Sequence, residues 1–116
     1  MPTDPVTPRC RVLDVPSELS AALSDLPGLV LRPDATAECD AVIRLYPPAP
    51  SRVHDQQRLC DVRLEAISCA PVRYNGVVIG DVTSTVELVR YLAGASAVTG
   101  QLLAASPAPT PPERTA

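Results

Sequence analysis

The sequence predicts an α+β domain, a small and mainly antiparallel sheet of about four or five strands with two helices packed on one face. Three observations lead there. Residues 60–66 alternate, with Cys60, Val62, Leu64 and Ala66 on one side and Asp61, Arg63 and Glu65 on the other, the pattern of a strand with one buried and one solvated face. Asn75-Gly76 stands between Val72 and the apolar run Val77-Val78-Ile79, and Asn-Gly accepts the two positive φ values of a type I′ hairpin turn. Two further stretches carry apolar residues at helical spacing.

The chain divides into a flexible lead-in at 1–8, rich in Pro and Thr, one domain at 9–105, and a disordered Pro-rich tail at 106–116. Residues 9–15 are predicted as a first strand. Asp14 then caps a helix, with Pro16 tolerated in its first turn, where its missing amide would have no partner. Leu19, Ala22, Leu23 and Leu26 form one apolar stripe of that helix, which Pro27-Gly28 ends. Residues 29–31 read as an edge strand and 34–40 as a loop. AVIRLY at 41–46 is a strong strand, stopped by Pro47-Pro48-Ala49-Pro50, because proline supplies no ladder donor. Residues 47–57 are polar and read as a projecting loop. After the hairpin, Ser84-x-x-Glu87 matches a capping box, and Val82, Val86, Val89 and Ala93, with Leu88 and Leu92 beside them, give a wide apolar stripe. Gly94 interrupts this second helix, and 95–105 continue it as a frayed segment.

At 116 residues the chain can hold one modest core, filled with aliphatic side chains because Phe and Trp are absent. All ten basic residues are Arg, as GC-rich actinobacterial or phage coding sequence gives. The net charge of −3, with Arg and acids interleaved, speaks against a nucleic-acid binder. No run approaches the roughly 20 apolar residues of a membrane span. The start MPTDPVTPRC lacks the basic and then apolar residues of a signal peptide. The expected location is therefore cytoplasmic, with no membrane partner. The four cysteines, at 10, 39, 60 and 69, form no CxxC, and His54 has none at metal-motif distance, so neither metal nor cofactor is expected.

No catalytic constellation emerges. His54, Asp55 and Ser51 or Ser68 could supply the members of a hydrolytic triad, but adjacent loop residues do not face one another and no elbow motif surrounds the serine. The glycines form neither GxGxxG nor a P-loop. Arg52, His54 and Asp55, charges of both signs on the projecting loop, are the candidates for contact with a protein partner or another copy of the chain.

Two resemblances add to this. The run CAPVRYNGVVIGDVTSTVELVRYL at 69–92 resembles the carboxy-terminal half of thioredoxin-like folds, where a cis-proline precedes a hairpin and a closing helix. It implies a thiol site at Cys69 beside Pro71, although residues 15–20 lack that family's redox cysteines. Residues 16–68 resemble the tail-terminator and neck proteins of long-tailed phages, in the strand 41–46, the Arg-containing loop 47–58 and the alternating strand 60–66. That resemblance implies a non-enzymatic assembly subunit of a virion, working as an oligomer. A thioredoxin-like or other small cytoplasmic enzyme is the alternative.

Overall fold

The computed structural model describes residues 9–26, 28–31, 39–48, 51–95 and 97–106. In chain order the elements are β1 (Cys10–Leu13), α1 (Ser17–Ser24), β2 (Leu29–Val30), β3 (Ala41–Tyr46), α2 (Arg52–Cys69), β4 (Arg73–Val78), α3 (Val82–Gly94) and β5 (Leu102–Ala104). They form one five-stranded sheet in the order β2-β1-β3-β4-β5, and every pairing is parallel. The fold class is therefore α/β, not the antiparallel α+β sheet expected from the sequence. Parallel neighbours need a crossover of a dozen or so residues, usually a helix, and α1, α2 and α3 each supply one.

The sheet is covered on both faces. On the first, Cys10 and Val12 of β1, Ala41, Ile43 and Leu45 of β3, and Val77 of β4 pack with Leu19 and Leu23 of α1 and Val89 and Leu92 of α3. The second face carries α2, the one described helix there, which packs on β4 and less on β5. Its Val62 is fully buried. The prediction of two helices on one face is thus corrected to two on one face and a third on the other. The handedness follows from these positions. α1 and α2 lead their chains in opposite directions across the sheet from opposite faces, so they share one hand. α3 leads the same way as α2 from the opposite face, so it has the other. β4–α3–β5 therefore crosses with the opposite hand to β1–α1–β2 and β3–α2–β4, although such crossovers strongly prefer a single hand.

Several predicted elements hold. β3 has the predicted bounds, α1 buries its predicted Leu19 and Leu23, β2 lies at a sheet edge, and α3 ends at Gly94. The cap of α3 comes one turn earlier than the predicted capping box: the Asp81 carboxylate accepts from Ser84 N (2.8 Å) and Ser84 Oγ (2.8 Å). The predicted helical segment at 95–105 is instead a lead-in to β5. The predicted loop 47–57 and strand 60–66 are largely one 18-residue helix, α2. Ser51 caps it, Asp55 favours the positive end of its dipole, and no Pro or Gly interrupts it before Pro71. The lead-in 1–8, most of the loop 34–40, Pro27, Ala49, Pro50 and the tail beyond 106 lie outside the described residues.

The predicted hairpin is absent, and Asn75 and Gly76 sit inside β4, the strand paired with β3 and β5. The positive-φ residues among those described are Asp14, Gly28 and Gly100, so the Asn-Gly turn assignment is withdrawn. Burial of a central strand on both faces overrides the local turn preference of the dipeptide. Gly76 is needed for a different reason. A Cβ there would lie 2.8 Å from Leu102 Cδ1 and 2.9 Å from both Tyr46 Cε2 and Val62 Cγ2. Absence of a side chain is what lets α2 settle on β4. Gly76→Val should therefore destabilise the fold by about 1–3 kcal/mol through overpacking. A urea titration with an unshifted midpoint would remove this account of the α2–β4 contact.

Candidate functional site

In open parallel sheets, ligands bind outside the carboxyl ends of the strands, at the point where the strand order reverses. Here that point lies between β1 and β3, whose chains continue outward in opposite directions to β2 and β4. The turn leaving β1 is Asp14-Val15-Pro16. Asp14 takes φ 59, a left-handed conformation that aspartate tolerates better than most residues. Leu13 is in register with Arg44, and Arg44 Nε lies 3.1 Å from Asp14 Oδ2 across the reversal. The Nε is buried, and its N–H meets no acceptor at hydrogen-bonding geometry, so this contact is an ion pair and not a hydrogen bond.

Arg44 belongs to a polar shelf on the second sheet face. Strand alternation puts Arg11 and Leu13 of β1, Val42, Arg44 and Tyr46 of β3, and Tyr74 of β4 on this side. All are half-buried except Tyr74, which is 4% exposed. α2 forms one wall. Its Arg58 stands 5.2 Å over the Tyr46 ring, a cation–π contact, and its Nη1 donates to Pro47 O. Burial lowers the Arg44 pKa, but the Tyr74, Tyr46 and Asp14 oxygens outweigh it and the net shift is upward. Burial pushes the Tyr74 hydroxyl up to about 12, against the pull of Arg44.

The residues singled out in the sequence are placed as follows. Arg52, His54 and Asp55 are exposed in the first turns of α2, at the carboxyl rim of the sheet. Ser51 Oγ lies 2.7 Å from His54 Nδ1 and also accepts from His54 N (3.4 Å), so the serine is the helix cap. Cys69 and Pro71 are at the opposite rim. Cys69 is a half-buried free thiol, the Ala70–Pro71 bond is cis, and Pro71 leads into a central parallel strand. Among the described residues no group of three His, Cys, Asp or Glu side chains could hold a metal ion, and no helix is long and apolar enough to cross a membrane. Arg44, Tyr46 and Tyr74 were not singled out in the sequence, and Asp14 was expected only as the cap of α1, a position that Pro16 takes instead. The available signal was Arg44 within the apolar run of AVIRLY.

The family profile described as short chain dehydrogenase-like protein matches residues 10–105. The chain belongs to this family. No curated protein and no solved structure matches it. The match, with the parallel sheet, overturns both the phage tail-terminator and the thioredoxin-like resemblances, and with them the reading as a virion assembly subunit. Each resemblance rested on a local run of elements, and both required a sheet with antiparallel pairs.

A short chain dehydrogenase-like fold implies a nicotinamide dinucleotide at the first β–α turn, and the residues present do not fit one. Doubly wound dinucleotide sites use glycines there, so that backbone amides at a helix start approach the pyrophosphate. This chain has Asp14, Val15 and Pro16 instead: a carboxylate, a branched side chain and a residue with no N–H. Glu18 adds a second negative charge in the first turn of α1, which has only eight residues. The end of β2, where an acidic residue would meet the ribose, runs into residues outside those described.

Burial of titratable groups makes a pH prediction. The Cys10 thiol is raised by burial from 9.0 to about 12, and Tyr74 from 10.0 to about 12. In both, the neutral form is the one that the fold favours. Their contribution to stability is full below the unfolded pKa and is lost as pH rises through the folded one. The urea midpoint should fall between pH 9 and 12, and fall less steeply in Cys10→Ala and Tyr74→Phe. Equal slopes in parent and variants would contradict the assignment.

Proposed function

We propose that this short chain dehydrogenase-like domain binds a small anionic molecule, a phosphate or carboxylate compound, on the polar shelf at the carboxyl end of its sheet. Arg44 is the anchor, taking the part that a glycine turn plays in dinucleotide sites. The observation that carries the reading is the guanidinium itself. Central strands of parallel sheets are apolar on both faces, yet β3 places Arg44 on its second face, with Nε buried and outside hydrogen-bonding geometry. The rest of the side chain is 40% exposed, so the guanidinium presents N–H donors to solvent on which a bidentate anion can seat.

Asp14 fits this reading as a placeholder. Its carboxylate is largely exposed, and an exposed ion pair contributes about 0–1 kcal/mol, so an incoming anion displaces it at little cost. Arg11 lies on the same face of β1 and adds to the positive potential of the shelf.

Calorimetric titration with inorganic pyrophosphate, with citrate and with NADH tests the proposal. Pyrophosphate or citrate should bind saturably, Arg44→Ala should weaken binding about tenfold or more, and Asp14→Asn should tighten it. NADH should show no preference over pyrophosphate alone. Tight NADH binding that survives Arg44→Ala would overturn the proposal, and so would the absence of any anion binding.

A further inference from the structure

Helix α2 leaves β5 largely uncovered. It packs on β4, where Val62 fills the space over Gly76, and meets the edge strand beyond only slightly. Gly76 pairs with Leu102 and Val78 with Ala104, so alternation sets these four on the second face of the sheet. Leu102 is half-buried there and Ala104 exposed. A trench runs between the flank of α2 and β5. Its upper hollow, about 250 Å³ at the carboxyl rim, is lined by Asp55, Gln56, Leu59, Val78, Leu102 and Ala104. Its lower hollow, about 570 Å³, lies against Arg63, Ala66 and Ala70 on the helix side and Thr99, Gly100 and Gln101 on the segment entering β5. Leu59, Arg63, Ala66 and Ala70 follow one another at spacings of four, three and four, along one line of the helix. The two hollows therefore adjoin, at Leu59 and Arg63.

We infer that this trench binds a free aliphatic monocarboxylate of medium chain length, its carboxylate on Arg63 and its chain along Leu59 and Leu102 toward the carboxyl rim. Charge selects the head group. Arg63 is exposed and has no ion pair among the described residues. The helix positions three and four away from it are Leu59, Cys60, Ala66 and Ile67, and residues 97–104 opposite carry no charge. Thr99 Oγ1 accepts from Tyr74 N, which leaves its hydroxyl proton to donate, and Gln101 offers an exposed amide beside it. The apolar lining of the upper hollow selects the chain. Asp55, the other charge on the trench, has Arg52 and Arg58 three residues to either side and closes the far end against a second carboxylate. From Arg63 to Asp55 is about 12 Å along the helix axis, which an extended chain of about nine carbons spans. The site is distinct from the shelf. Arg58 reaches the shelf from the other flank of α2, so the helix stands between the two.

The test is calorimetric titration of the full chain with nonanoate, pentanoate, nonanedioate and nonanol, with variants checked by circular dichroism. Nonanoate should bind saturably, one molecule to each chain. Pentanoate should bind about tenfold or more weakly, because each buried methylene contributes up to about fourfold. Nonanedioate should also bind less well, and Asp55→Asn should remove that difference. Arg63→Gln, at an exposed position, should keep the fold and weaken nonanoate about tenfold or more while leaving nonanol unchanged. Ala104→Leu fills the upper hollow from an exposed position, and should weaken nonanoate but not pentanoate. Uptake of many molecules without saturation would overturn the inference, as would affinity indifferent to chain length or to Arg63→Gln. Loss of nonanoate binding in Arg44→Ala would overturn it too, by placing the carboxylate on the shelf. Arg44→Ala should instead weaken the citrate titration and spare this one, so the two proposals fail separately.

Discussion

The buried amide of Asn75 holds together the part of the fold that least follows the common rules. It is fully buried in β4, where its Nδ2 donates to Val98 O (3.0 Å) and its Oδ1 accepts from Gln101 N (3.0 Å). The neighbouring residues of β4 do the same work. Tyr74 N donates to Thr99 Oγ1 (3.0 Å), Tyr74 O accepts from Gly100 N (2.7 Å), and the Arg73 guanidinium donates to the Leu92, Ala93 and Ala95 carbonyls at the end of α3. The chain that returns from α3 to β5, in a crossover of the opposite hand to the other two, is thus fastened, turn by turn, to one strand. Leaving either end of the Asn75 amide unpaired would cost about 1–3 kcal/mol, comparable with many single core contacts. β5 owes its place beside β4 to this clamp as much as to its own three residues.

The sequence showed those elements that bury one face and misled where a segment serves two surfaces. β3 and α3 each face the core on one side, and their periodicities are clear. α2 is apolar toward the sheet and apolar on the outside. Residues two apart on a helix point about 200° apart, so apolar groups on opposite sides fall at alternate positions. Cys60, Val62, Leu64 and Ala66 therefore imitate a strand while lying on a helix. A competing signal was present: residues 52–69 contain neither Pro nor Gly and are rich in Arg, Gln, Leu and Glu, good helix formers. Asn75-Gly76 failed for another reason. Its turn preference is local, whereas its place is set by distant partners, Val98, Gln101, Tyr46 and Val62, that no short window contains. The shelf was illegible for the same cause, because Asp14, Arg44 and Tyr74 meet only once the parallel register is known.

Family and site diverge at a single turn. The parallel sheet places the strand-order reversal where a doubly wound fold puts its ligand, and the chain keeps that geometry. What differs is the sign of the charge offered by the first turn. A glycine turn presents amides, whereas Asp14-Val15-Pro16 presents a carboxylate, and the positive charge has moved one strand over to Arg44. Position in the fold is preserved while the chemistry at that position differs, so the fold alone does not assign the ligand.

The two outer strands are very short, β2 with two residues and β5 with three. A stray extended chain docking beside either would find only two or three rungs, too few to offset the entropy of ordering it. For a sequence that is 46% hydrophobic, this brevity guards against fibrillar stacking, the growth mode open to longer bare margins. Charged gatekeepers are usual at such margins, but lysine, the commonest of them, is absent from this chain. Among the described residues, resistance to lateral aggregation therefore comes from geometry: the sheet stops before another chain can read it.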